Sequence, residues 1–169
     1  GSRYNAFGDK ANALILCSKY RDDSGQLAQR CLINICCQPG QKSEDWGFFR
    51  TVWDFHLRRR LVGQGWLTKF TGAEMTGDNG GHFKNNRVMY FCSQWSKKYQ
   101  FDPESYFLCD RHAWGPADGI WGVLSQLFTS AESRGTRLKT AMDYVKCFFE
   151  LKKKKPGVLE NVEMWPFSR

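Results

Sequence analysis

No run of about 18 apolar residues occurs in this chain, so nothing in it has the make-up of a membrane-crossing helix. No charged-then-apolar segment of the signal-peptide kind opens it; the expectation is a soluble, non-secreted protein, with Gly1 and Ser2 as a cloning scar. Internal repeats, low-complexity linkers and any internal boundary are missing too. That leaves a single globular domain over 1–169, with 157–169 as a C-terminal tail short of pattern. Acid is scarce relative to base, with 17 Asp+Glu against 25 Lys+Arg, a net charge of +8 and a pI of about 9.2. Such a surface attracts polyanions and selects the class of partner before it selects a site.

No C-x-x-C pair occurs either, and the seven cysteines are odd in number, with Cys36 and Cys37 adjacent. A complete disulfide framework is therefore a poor fit, and a reducing intracellular compartment, nucleus or cytoplasm, is expected. Cys17, Cys31, Cys92 and Cys147 lie in apolar segments and read as small core residues. What the chain has in quantity is apolar and aromatic side chain: 41% hydrophobic residues, including 13 Phe, 7 Trp and 6 Tyr. A chain of 169 residues with that content buries a real core.

The pattern along the chain predicts an α+β fold: a small antiparallel sheet, made of an N-terminal hairpin and two central strands, packed with two to three amphipathic helices. Asn12 to Tyr20 and Leu27 to Cys37 read as the hairpin about the turn at Arg21-Asp22-Asp23-Ser24-Gly25, with odd-numbered side chains of the second strand facing the core. Gln38-Pro39-Gly40 stops it. Ser43, Glu44 and Asp45 carry a helix-start signature. Trp46, Phe49, Trp53, Leu57 and Leu61 then make an apolar stripe, with Arg50, Asp54 and Arg58 stacked on another face, and the helix ends near Gly63 and Gly65. Residues 71–86 read as a long loop. Arg87 to Phe101 and Ser105 to Asp110 read as the central strands, separated by Asp102-Pro103. A helix capped by Asp118 and a second one starting at Gly135 and Thr136 complete the chain.

The functional expectation is a nucleic-acid-binding domain, for RNA or DNA, that uses basic residues interleaved with aromatics. Cations serve the phosphates, and aromatic faces serve unstacked bases. Arg58, Arg59, Arg60, Lys84, Arg87, Lys97 and Lys98 are the expected phosphate contacts, and Trp95 and Tyr99 the expected stacking faces. Lys152 to Lys155 sit where a helix terminus favours positive charge, with a surplus that fits phosphate contact or nuclear import. The rival classes are a protein-interaction module exposing Trp114, Trp165 and Phe167, and an enzyme. No membrane partner is expected.

For an enzyme, Cys36 or Cys37 with His82 and Asp78 or Asp110 would make a cysteine hydrolase. Asp102, Glu104 and Asp110, near Lys97 and Lys98, would make a metal-dependent nuclease. A bound cofactor is not expected. The one metal hint is Cys109-x-x-His112, half of a structural zinc site that Cys31 with Cys36 or Cys37 would have to complete. His56, beside the apolar stripe, reads as a boundary residue, and Glu74 as a loop acid.

Overall fold

In a computed structural model the fold is α+β, and the structure describes residues 12–37, 46–70, 72–77, 86–107 and 115–167. The chain clusters into two compact units, one built from Gly1–Ser43 with Gly115–Arg169 and the other from Glu44–Trp114.

The first unit begins with the expected hairpin, β1 (Asn12–Arg21) antiparallel to β2 (Leu27–Cys36). Asp22 holds the turn: its carboxylate accepts the Ser24 and Gln26 amides and the Ser24 hydroxyl. Those bonds keep the Asp22 carboxyl below its usual pKa, the hydroxyl bond first. The segment expected to be a patternless tail forms a strand, β5 (Val162–Phe167), which pairs parallel with β2 and makes the sheet mixed, in the order β1-β2-β5. Val162 and Met164 alternate with Glu163 and Trp165, a period-two signal too short to stand out in the sequence.

Three helices follow the hairpin in this unit: α3 (Pro116–Ser133), α4 (Ala141–Lys154) and the single turn α5 (Pro156–Leu159). Cys31, Ile33 and Ile35 of β2 pack with Leu124 and Phe128 of α3, Tyr144, Val145 and Phe148 of α4, and Val162 and Met164 of β5. The odd-numbered face of β2 thus enters the core as expected, except that Leu27 at its start is 69% exposed. Leu32, Asn34 and Cys36, on the opposite face, are buried as well. The Asn34 amide is satisfied by the Leu14 and Leu32 carbonyls, as burial of a polar group demands.

Cys17 and Cys31, expected as free thiols, face each other across β1 and β2 and form a disulfide. Gly135, expected to start a helix, ends one. Its φ of +90° suits glycine, and the amides of Gly135 and Thr136 return to the Glu132 and Ala131 carbonyls. The next helix starts five residues later, where the Thr140 hydroxyl accepts the Asp143 amide while the Asp143 carboxylate accepts the amides of Thr140 and Lys139. Asp118 lies three residues into the cap of α3, accepting the Gly115 amide.

The second unit is a β-α-β arrangement preceded by a helix. α1 (Trp46–Leu57) runs into a π-helical turn, Arg58–Gly63, and then a 3₁₀ turn, Trp66–Thr68. β3 (Gly72–Gly77), within the expected loop, pairs parallel with β4 (Asp102–Phe107). Parallel strands require a crossover, and α2 (Asn86–Tyr99) supplies it. This overturns the reading of Arg87 to Phe101 as a strand. Val88, Phe91, Cys92 and Trp95 are the buried residues of this segment, at helical rather than two-residue spacing, and that spacing aims them at one side only as a helix. The two-stranded sheet is likewise parallel, not part of an antiparallel one. Asp102-Pro103 opens β4 instead of breaking a strand, since proline is tolerated at a strand's first residues. At Gly72 a Cβ would collide with the Asp102 carbonyl oxygen, so only glycine lets the two strand starts meet.

Candidate nucleic-acid interface

A groove of about 470 Å³ lies between α1 and α2 within the second unit. Arg50, Asp54 and Arg58 line it from α1 and its π-helical continuation, at successive four-residue steps that put them on one side of the helix. From α2 come Arg87, Tyr90, Gln94 and Lys98, again at three- and four-residue steps, together with Asn86, Phe91, Trp95 and Tyr99. Four cations therefore face one carboxylate. Arg58 Nε lies 2.9 Å from Asp54 Oδ2, an exposed guanidinium on a half-buried carboxylate one helical turn away, which aims the guanidinium more than it stabilises the fold.

An aromatic cluster holds the groove walls in place. Phe91, Trp95 and Phe101 are buried, with Trp53, Leu57, Trp66, Leu67, Phe70 and Tyr99 packed around them. The rings contact in sequence: Trp53 to Phe91 at 6.2 Å, Phe91 to Trp95 at 6.1 Å, and Trp95 to Tyr99 at 4.5 Å. Such pairs contribute about 0.5–1.5 kcal/mol each beyond the area they bury.

Five of the nine residues expected at the site thus meet in one groove: Arg58, Arg87, Trp95, Lys98 and Tyr99. Trp95 is only 5% exposed, so it is a wall support with no open stacking face. Tyr99 has Trp95 against one side and the Lys98 ammonium 4.9 Å from its ring centre. Arg60 is 7% exposed, with its guanidinium 4.9 Å over the Trp66 ring, where it ties the π-helical turn to the following 3₁₀ turn. Arg59 is partly buried and Lys97 exposed, and neither lines the groove. Lys84 lies outside the described residues. The groove residues that were not expected include Arg50, Asn86, Tyr90 and Gln94. Arg50 already stood at i−8 from Arg58 in the helical pattern, whereas Tyr90, 67% exposed, becomes visible only once 86–99 is a helix.

Elsewhere the lysine run divides by use. The Lys152 ammonium donates to the Glu160 and Val162 carbonyls, pinning the end of α4 to β5, and Lys153 pairs with Glu150. Lys154 and Lys155 stay exposed. Trp165 and Phe167 are half-buried on β5, the Trp165 indole donating to Glu163; Trp114 lies outside the described residues.

Among the residues considered for catalysis, Cys36 is buried, and burial, then the neighbouring Cys36, pushes the Cys37 thiol up to about 11. A thiol so shifted stays protonated at neutral pH. Asp102 and Glu104 are exposed on β4, where Glu104 lies opposite Glu74 of β3 and accepts the Tyr106 hydroxyl at 2.6 Å. His56 is buried, with Phe55 edge-on at 5.0 Å, and is therefore an interior residue, not one at the boundary of the stripe. Asp78, His82, Cys109, Asp110 and His112 lie outside the described residues, and Cys31, one proposed zinc ligand, has its sulfur in the disulfide. Among the described residues no group of three or more potential ligands gathers, and no helix is long and apolar enough to cross a membrane.

Compared with family models, curated proteins and solved structures, the chain matches none.

Proposed function

We propose that the second unit binds nucleic acid in the groove between α1 and α2. The single observation that carries this reading is the convergence of Arg50, Arg58, Arg87 and Lys98 around one concave, aromatic-walled space holding a single carboxylate. Cations spaced along a cleft match a chain of phosphates, whose counterions are released on binding and drive it. A net charge of +8 adds long-range attraction, and the groove adds the place where it is spent. The polar edges within the cleft, Asn86 and Gln94, supply donors and acceptors that a purely solvated rim of lysines would lack.

The test is fluorescence polarisation of labelled oligonucleotides, titrated at two salt concentrations with the intact chain. Binding should weaken as salt rises, and Arg58→Glu with Lys98→Glu together should lower affinity by about tenfold or more near 0.1 M salt. If the double variant binds as the parent does, the groove is not the site. If no oligonucleotide binds, the proposal is wrong.

A further inference from the structure

Resting on that reading, we infer that the groove takes an unpaired nucleotide strand, DNA or RNA, and that Tyr90 is the face on which a base stacks. The aromatics expected for stacking are already engaged: Trp95 is buried, and Tyr99 is occupied by Trp95 and Lys98. Tyr90 is the groove aromatic with most of its surface open, and it stands on the same stripe of α2 as Arg87, Gln94 and Lys98. Arg87 and Lys98 are eleven residues apart, about 16 Å along the helix.

The concavity argues for the same class of ligand. A protein reads a duplex by inserting a helix or ribbon into the major groove, whereas here the basic stripe lines a hollow that receives a chain. In a duplex the base faces are stacked and unavailable, so an open tyrosine beside cations is of use only to an unstacked strand. Gln94, one turn after Tyr90, carries both a donor and an acceptor and is placed to meet the edge of the base that Tyr90 holds. Arg87 and Lys98, on either side, put positive charge where the flanking phosphates would run.

The experiment titrates a 12-nucleotide single-stranded DNA, the same sequence as RNA, and a hairpin duplex of equal charge, against the parent chain, Tyr90→Ala, Tyr90→Phe, and the Arg58→Glu with Lys98→Glu variant. Thermal unfolding of each confirms its fold. The expected result is single-strand binding at least about tenfold tighter than duplex binding. Tyr90→Ala should weaken only the single strand, by about five- to fiftyfold, and Tyr90→Phe should restore it. The DNA and RNA arms report which strand is preferred. Equal or tighter duplex binding, or an unchanged Tyr90→Ala titration, would overturn the inference; if the charge variant still loses binding, the nucleic-acid reading survives that failure. Absence of binding to every oligonucleotide would overturn both.

Discussion

Trp95 and Tyr90 sit five residues apart on one helix and do opposite work. Truncating Trp95, buried against Phe91 and Tyr99, leaves a cavity in the aromatic cluster, and Trp95→Ala should cost about 3–5 kcal/mol in denaturant unfolding. Tyr90→Ala, at an exposed position, should change stability by no more than about 0.5 kcal/mol. A comparison of the two unfolding curves checks the assignment of one to packing and the other to the surface. At Cys37 the raised thiol pKa, about 11, means that the folded state holds its proton longer than the unfolded chain does. The stability linked to that proton is full below about 9 and is lost as pH rises toward 11. Iodoacetamide labelling of Cys37 should accordingly be slower at pH 8 than for an exposed thiol, and should climb steeply above pH 10. Rapid labelling at neutral pH would contradict the buried environment.

At the scale of elements, caps and clips set where helices stop and strands join. Thr140 and Asp143 satisfy the first amides of α4 reciprocally, so Thr140→Ala should destabilise the first unit by about 1 kcal/mol. The amide and hydroxyl bonds that hold the Asp143 carboxyl below its usual pKa contribute stability above pH 4, and this is lost as pH falls through the folded value. Acid unfolding of the parent and Asp143→Asn chains, followed by circular dichroism, should show the parent losing more of its stability in that range. The hairpin carries its own clip. Reducing Cys17–Cys31 releases a constraint across 14 residues of sequence, and should lower the unfolding midpoint by an amount corresponding to as much as about 3 kcal/mol in the chain-entropy limit. Non-reducing peptide mapping should recover the two cysteines in one linked fragment.

For the whole molecule, the question is whether the excess charge acts everywhere or at one place. Lys154 and Lys155 belong to the first unit, Arg58 and Lys98 to the second, and reversing either pair changes the net charge equally. Localised binding predicts that Lys154→Glu with Lys155→Glu leaves affinity within about twofold. Arg58→Glu with Lys98→Glu should instead flatten the slope of log affinity against log salt by about one to one and a half. Equal effects of the two pairs would assign binding to the overall field. The division into units was illegible in the sequence for a topological reason. One unit is assembled from both ends of the chain and the other from the sequence between them, so no single change in composition marks the division.

The sequence by itself determined the features that depend on near neighbours. The α+β class, the 12–36 hairpin and the helix over 46–57 follow from periodicity and turn chemistry that act within a few residues. It also placed Arg58, Arg87 and Lys98 as cations with aromatics beside them. Tertiary structure decided the rest, because long-range pairing and packing choose among locally acceptable states. Residues 87–99 hold both β-prone aromatics and helical spacing, and became a helix because β3 and β4 run parallel and need a crossover. Burial then sorted the predicted residues: Arg60 and Trp95 went inward, while Arg50 and Tyr90 were brought to a shared groove by two helices whose meeting no local pattern encodes.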